Sequence, residues 1–331
     1  MITSPNKPNP WQTALINAVT DPKELLEILA LDSHWLEPAV AASKLFPLKV
    51  PREFITRMQK GDPYDPLLQQ ILPIGAEFAQ IEHYTEDPLQ EKNANPVPGL
   101  LHKYYGRVLL TITGACAINC RFCFRRHFPY AENNPGTAGW NQVFDYIAKD
   151  PSITEVLLSG GDPLAVSDGT LRHFIERLAA IPHVKRVRVH SRLPIVVPER
   201  ITTELLEWMT ATRLQTILVT HCNHPQEING AVTAALRRLT GIPLLNQSVL
   251  LKGINDQAAV LIALSESLFA AGVHPYYLHF KDKTQGTAHF EVPLEQAKAL
   301  HRQMQQKLPG YLVPKLVVEE PGEPAKTSII T

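Results

Sequence analysis

The sequence has no surplus charge of either sign. Its 32 Lys and Arg balance 32 Asp and Glu over 331 residues, so no global field draws it to nucleic acid or to an anionic membrane surface. Long hydrophobic runs are also missing. No apolar stretch is long enough to span a bilayer, and the opening MITSPNKPNPW has neither the basic n-region nor the apolar h-region of a signal peptide. These absences predict a soluble, cytoplasmic protein with neither nucleic acid nor membrane among its partners. Cysteine is scarce: there are four, and three of them fall within eight residues. A disulfide framework needs dispersed, pairable cysteines and an oxidising compartment, so the tight group reads as metal or cluster ligation. What remains, 44% hydrophobic and 19% charged, is ordinary globular chemistry. The length suits one large domain with an added segment.

Residues 1–100 carry no regular repeat. Asp-Pro steps recur at Asp21-Pro22, Asp62-Pro63, Asp65-Pro66 and Asp87-Pro88. An Asp can cap a helix whose first position is Pro, where no N–H is needed, so several of these steps are expected to open short apolar helices. Asn93 to Gly99 reads as an extended linker. The expected organisation is a helical N-terminal extension and linker over 1–100, followed by a core over 101–331.

From Arg107 the pattern alternates. Strand candidates are 107–113, 155–160, 186–191, 215–221, 243–250, 275–280 and 312–320, with helical patterns at 171–180, 203–210, 231–239 and 257–271. Strands and helices alternating at this spacing predict parallel strands with crossover helices, an α/β fold. A partial barrel and a doubly wound sheet give the same string. The residues with chemistry lie just after strands: the cysteines after Thr113, Gly161-Asp162-Pro163 after Gly160, Arg192 after Ser191, and His221 at a strand end. Lys281-Asp282 and Glu319 to Lys326 follow the last two strands. Barrel enzymes gather catalytic groups at the C-terminal strand ends, which favours the barrel.

The central motif is Cys116-Ala117-Ile118-Asn119-Cys120-Arg121-Phe122-Cys123. Three thiolates so spaced can hold a [4Fe–4S] cube and leave one iron open. A zinc site completed by His127, Cys222 or His224 is the alternative, although zinc motifs more often pair their ligands at wide separation. The CxxxCxxC spacing, with an aromatic before the third cysteine, resembles the radical S-adenosylmethionine (SAM) superfamily. Ser159-Gly160-Gly161-Asp162-Pro163-Leu164 resembles that superfamily's Gly-rich SAM-binding strand end. Residues 107–330 resemble the lysine 2,3-aminomutase family through RVLLTITGACAINCRFCFRRHF, LLSGGDPL, HSRLPIVVPERIT, THCNHPQEI, LLNQSVLLKGIND, HPYYLHFKDKTQGTAHF and PGEPAKT. The N-terminal KLFPLKVPREFITRM and VPGLLHKYYGR, with RRHFPYAEN after the cysteines, resemble one bacterial branch of it. That branch isomerises lysine for the β-lysylation of elongation factor P.

The resemblance implies a radical SAM partial (β/α)6-type barrel with a helical N-terminal extension. It implies an isomerase converting L-α-lysine to β-lysine with a [4Fe–4S] cluster, SAM and pyridoxal 5′-phosphate (PLP). Its implied partners are L-lysine, an electron donor and, functionally, the elongation factor P ligase. Carried over residue by residue, Cys116, Cys120 and Cys123 are the cluster ligands. Gly160, Gly161 and Asp162, with Ser191, His221 and Gln247, belong to SAM. Lys326 forms the Schiff base with PLP, and Lys103 stands near a position that binds the PLP phosphate. A lysine amine condenses only when deprotonated, so Lys326 is expected to be buried near a cationic site. Arg125 matches the partner of the substrate α-carboxylate, for which a bidentate guanidinium is suited. Asp282 and Glu319 match the two acids that take the ε-ammonium.

Two features depart from the family pattern. Glu323-Pro324-Ala325 replaces a glycine run, and Glu319 stands where Asp is more usual, which shifts the pocket by about one methylene. Cys222 is expected to be a buried free thiol. Three other readings stay open. One is a catabolic or osmolyte-forming lysine 2,3-aminomutase, disfavoured because the sequence stops five residues past Lys326. Another is a glutamate-directed relative, opposed by the acids at Asp282 and Glu319. The third, a non-catalytic metal-stabilised binding protein, leaves the strand-end placements as coincidence.

Overall fold

The computed structural model describes residues 8–331, apart from the side chains of 137 and 138. Nine strands form one sheet: β1 (Leu100–Tyr104), β2 (Arg107–Thr113), β3 (Glu155–Gly160), β4 (Arg186–Ser191), β5 (Gln215–His221), β6 (Leu244–Val249), β7 (His274–His279), β8 (Lys315–Val318) and β9 (Thr327–Ser328). Spatial order equals chain order. β2 to β8 are all parallel, while β1 and β9 add antiparallel edges. A doubly wound sheet reverses its strand order at a switch point. Here the order runs one way throughout, and among the described residues no ladder joins β1 to β9. The sheet is a partial barrel of six strand–helix units closed by a seventh parallel strand.

The helices are α1 (Pro10–Ile16), α2 (Pro22–Ile28), α3 (Leu36–Ser43), α4 (Arg52–Ile55), α5 (Gly136–Lys149), α6 (Asp168–Ala179), α7 (Leu193–Val196), α8 (Thr203–Thr210), α9 (Gly230–Arg237), α10 (Ala258–Ala270) and α11 (Leu294–Lys307). Of these, α5, α6, α8, α9, α10 and α11 follow parallel strands. Strand residues alternate in kind as well as direction. In β4, Val187 and Val189 are fully buried, whereas Arg188 and His190 on the other face keep some exposed surface. β5 and β7 repeat this with Leu218 and Leu278 buried and His221 and His279 partly accessible. The first face packs on helices; the second lines a polar interior. Among the described residues, no helix is long and apolar enough to cross a membrane.

The expected strands are all present; β6 and β8 are shortened at both ends, and β7 is shifted by one residue toward the N-terminus. Other elements of the core fall outside the expected string. β1 begins directly after the stretch read as linker; α5 and α11 fill gaps that carried no assignment, and the short α7 and β9 were not expected. The Asp-Pro expectation holds at one α-helix only. Asp21 caps α2 by accepting from the Lys23 amide at 2.9 Å. Asp65 instead takes the amides of Leu67 and Leu68, leading to a short 3-10 turn, and Asp87 takes those of Glu91 and Lys92. An Asx turn satisfies the same carboxylate without needing an apolar stripe behind it.

The first hundred residues share the barrel's core: one hydrophobic cluster includes Trp11, Leu25, Phe54 and Leu68 along with Val187, Leu193 and Leu218. They also grip the cysteine loop directly. Lys49 Nζ donates to the Cys116 carbonyl at 2.8 Å, and the Arg121 amide donates to the Gln70 carbonyl at 2.9 Å. Arg121, 1% exposed, is paired through Nε with Glu77 Oε1 at 2.5 Å. Removing one partner strands a buried charge. Glu77→Ala is therefore expected to cost about 3–5 kcal/mol in urea unfolding, while Lys23→Ala, which breaks an exposed pair with Glu27, should stay within about 0.5 kcal/mol. Equal effects would show that the Arg121 pair is not a structural tie.

Candidate active site

The cysteine loop leaves the C-terminal end of β2. Burial pushes the Cys123 thiol up to about 11, with Cys120 beside it adding to the rise. Burial likewise raises Cys116, and Cys123, Asp162 and Cys120 raise it further. Three thiols on one short loop suit a cationic iron–sulfur core, which would bind them as thiolates, although among the described residues no group of three His, Cys, Asp or Glu side chains converges on a single metal position. One cation already faces the group: Arg192 Nη1 donates to Cys120 Sγ at 2.7 Å, and its Nη2 is held by Gln70 Oε1 at 2.7 Å and Glu227 Oε2 at 2.9 Å. The residues offered as a fourth zinc ligand are engaged elsewhere. Cys222 is fully buried with its thiol toward the His224 carbonyl, His224 accepts from the Gln226 amide, and His127 contacts the Gln285 carbonyl.

At the end of β3, Gly160 has φ +116°, and a Cβ there would lie 2.5 Å from the Thr113 carbonyl oxygen. A Cβ on Gly161 would lie 2.5 Å from that of Ala115. The glycines thus let the β3 turn close against the start of the cysteine loop, through the Gly161 amide to Thr113 O and the Asp162 amide to Ala115 O, at 2.7 and 2.8 Å. Asp162 is spent on the protein: it accepts from Ser191 Oγ at 2.7 Å and from the amides of Leu164, Arg192 and Leu193. Asp162 and Ser191 therefore lock β3 to β4, leaving backbone rather than free carboxylate at this edge.

Deeper in the barrel, His221 Nε2 meets Gln247 Nε2 at 2.8 Å, and the His190 and His221 rings stand edge to face at 6.0 Å. Burial drives His221 and His279 down to about 3, and His190 well below its usual value, so all three are neutral. The Nε2 atoms of His190 and His279 have no hydrogen-bond partner. Unsatisfied buried nitrogens are costly. The charge of Lys326 adds to the depression of both histidines, and such unsatisfied ring nitrogens suit a hydrogen-bonding cofactor such as PLP.

A chain of alternating charges runs from the last hairpin to Arg125, just past the cysteine loop. Lys326 Nζ contacts Glu319 Oε2. Glu319 Oε1 accepts from Lys103 Nζ at 2.6 Å; Lys103 lies 3.0 Å from Glu91 Oε1. Glu91 in turn takes Arg125 through two bonds of 2.7 Å. The β8–β9 hairpin explains the first link, because pairing Val318 with Thr327 sets Glu319 across from Lys326. The expected cationic neighbour of Lys326 is thus an anion: the tight hairpin brings the nearest acid to it. Burial works against Glu319, but Lys326 and Lys103 hold its carboxyl far below the usual range. Asp282 is the opposite case, pushed up to about 7 by burial and then by Glu319.

Lys326, Glu319, Lys103 and Arg125 therefore form one linked chain, with Asp282 beside it. Cys116, Cys120, Cys123, Gly160, Gly161, Asp162 and Ser191 form an adjoining group, and His221 and Gln247 a third, deeper pair. Sequence reasoning passed over Glu91, Glu227, Gln70, His190 and His279. Glu91 and Gln70 lie in the extension, where no spacing singles out an acid or amide. His190 and His279 alternate with apolar residues at strand ends, and that alternation was the available signal.

No family model matches the chain. A solved radical SAM methyltransferase from Sphaerobacter thermophilus resembles it loosely, at a TM-score of 0.46 and 17% identity over 66% of this chain and 68% of that one. Sequence relatives are much nearer. The L-lysine 2,3-aminomutase of Haemophilus influenzae is 50% identical over 319 residues, covering 96% of this chain and 94% of its own length. That of Escherichia coli is 50% identical with the same coverage. That of Clostridium subterminale is 37% identical over 97% of this chain and 78% of its own. The parallel partial barrel, with a thiol loop at its mouth and a lysine on its last hairpin, is the frame of an enzyme that uses both an iron–sulfur cluster and a carbonyl cofactor. The chain belongs to the lysine 2,3-aminomutase family, isomerases that work with a [4Fe–4S] cluster, SAM and PLP.

The Asp282 shift carries a sign. Its folded value of about 7 lies above the ordinary 3.8, so the folded state holds the proton more tightly than the unfolded chain. Stability contributed by this group is full below about 3.8, falls as pH rises, and is lost above about 7. In PLP-free protein, Asp282→Asn should remove that slope: urea midpoints of variant and wild type should diverge across this window, the variant being favoured, and run parallel above it. A constant difference across the window would mean a well-solvated carboxyl.

Proposed function

We propose that this chain converts L-lysine to β-lysine with the residues gathered at the barrel mouth, for use in the modification of elongation factor P. The observation that carries the reading is the salt-bridge chain linking Arg125, Glu91, Lys103, Glu319 and Lys326, which begins two residues past the cysteine motif. When bound, the cluster with SAM supplies one-electron hydrogen abstraction at carbon, and PLP supplies electron delocalisation at the migrating nitrogen.

The chain's own part is holding and excluding. Cys116, Cys120 and Cys123 hold the cluster, and Arg192 steadies Cys120. The backbone of Gly160 and Gly161, braced by Asp162 and Ser191, shapes the SAM edge, with His221 and Gln247 below it. Lys326 carries PLP and Lys103 meets its phosphate. Arg125 takes the α-carboxylate of lysine, while Glu319 and Asp282 take the ε-ammonium. A substrate ammonium beside Asp282 favours its carboxylate, so ligand binding pulls down the raised value. Glu319, held by two lysines in the free protein, is released to the substrate as Lys326 and Lys103 turn to PLP. The ring nitrogens of His190 and His279 offer partners for PLP or SAM. An external donor supplies the electron.

The elongation factor P assignment is supported by the resemblance of the N-terminal extension and RRHFPYAEN to that branch. The test is anaerobic: iron, sulfide and PLP are restored, and SAM, dithionite and L-lysine added. β-Lysine should appear by chiral chromatography with mass detection. It should be abolished in Cys120→Ala, which loses iron, and in Lys326→Ala, which keeps iron and loses the PLP absorbance of the lysine imine. 5′-Deoxyadenosine without β-lysine would keep the radical chemistry and overturn the substrate.

A further inference from the structure

Glu91 is 2% exposed, and the turn before it explains its placement: Asp87 takes the Glu91 and Lys92 amides, and Gln90 adopts a left-handed φ of +50°. Its carboxylate meets Arg125 side-on, with Nε to Oε2 and Nη2 to Oε1 both at 2.7 Å. Arg125 Nη1 donates to Ser159 Oγ, at the end of β3, at 3.2 Å. A guanidinium has five N–H groups. Glu91 takes two and Ser159 one, which leaves one on each terminal nitrogen, a pair that a second carboxylate can accept. Burial opposes the charge of Arg125, but Glu91 more than offsets it and holds the guanidinium above its usual value. A crevice lined by Leu89, Glu91, Phe124, Arg125 and Phe128 adjoins the pair.

We propose that Glu91 is a positioning residue for recognition of the substrate α-carboxylate. It fixes the side-on edge of Arg125 so that the terminal nitrogens face the cavity. The inference rests on the reading of Arg125 given above. Glu91 also stands between two cations, Arg125 and Lys103, the latter 3.0 Å away. Those two serve different anions, the substrate carboxylate and the PLP phosphate. Without a fixed negative charge between them they repel, and either anion can draw the wrong one. Glu91 keeps each cation with its own ligand, so the loss of Glu91 should weaken ligands that carry a carboxylate and spare those that lack one.

The test uses PLP-loaded enzyme without SAM or reductant, so that binding is read without turnover. Displacement of the Lys326 imine is followed by absorbance, at saturating PLP, with L-lysine and with 1,5-diaminopentane, its analogue lacking the carboxylate. Glu91→Gln should weaken L-lysine by about tenfold or more, the worth of a charge-assisted hydrogen bond, and change the diamine by less than about twofold. Glu91→Asp, which keeps the charge but shortens the reach, should show the same selectivity at smaller size, and it stands in if the Gln variant does not load PLP. Equal weakening of both ligands, or no change in either, overturns the proposal. Arg125→Lys separates the two layers. If it spares L-lysine relative to the diamine, the reading of Arg125 fails; if it weakens L-lysine selectively while both Glu91 variants do not, only the role of Glu91 fails.

Discussion

Glu319 sits between two lysines, Lys103 and Lys326, and that contact sets the terms for the rest of the site. A charge removed from water must be neutralised where it lies, or it shifts its protonation. Along the barrel mouth this is met by strict alternation: lysine, glutamate, lysine, glutamate, arginine. Asp282, next to the chain, has no cation on its carboxylate among the described residues and shows the other outcome: its carboxyl rises to about 7. The free protein therefore holds two neighbouring acids in two forms, one already paired and one held toward the neutral state.

The same rule explains how the N-terminal extension is bound into the molecule. Its buried acids and amides answer cations of the core: Glu77 answers Arg121 inside the cysteine motif, Gln70 joins Glu227 on Arg192, and Glu91 joins Arg125. In the other direction Arg57 donates to the carbonyls of Ile195 and Glu227. Apolar packing continues across the junction, but the polar ties are what aim it. They place three residues of the extension within reach of the cysteine loop or of Arg125. The extension thus braces the cysteine loop and Arg125 as well as packing on the sheet.

Much of the fold was legible because strand alternation and helix periodicity are local properties. All seven parallel strands were readable as short apolar runs, and α8 falls on the expected residues 203–210. β1 was missed because LLHKY lies after a Pro- and Gly-containing stretch and pairs only with β2. The Asp-Pro steps misled because a carboxylate caps a turn as readily as a helix. At the site, the hydrogen bond by which Ser191 donates to Asp162 was not legible, since two polar side chains at adjacent strand ends meet only once the strands pair.

By itself the sequence determined the chemistry on offer: three thiols on one short loop, glycines where a Cβ would lie 2.5 Å from a carbonyl oxygen, and a lysine seven residues past an acid. These follow from residue identity and spacing, which survive any folding detail. Only the tertiary structure decided who neutralises whom. Glu91 and Arg125 are 34 residues apart, and Lys103 and Glu319 are 216 apart. No local pattern encodes such pairs, because their energy arises only after barrel closure has removed the water that would otherwise have solvated each charge separately.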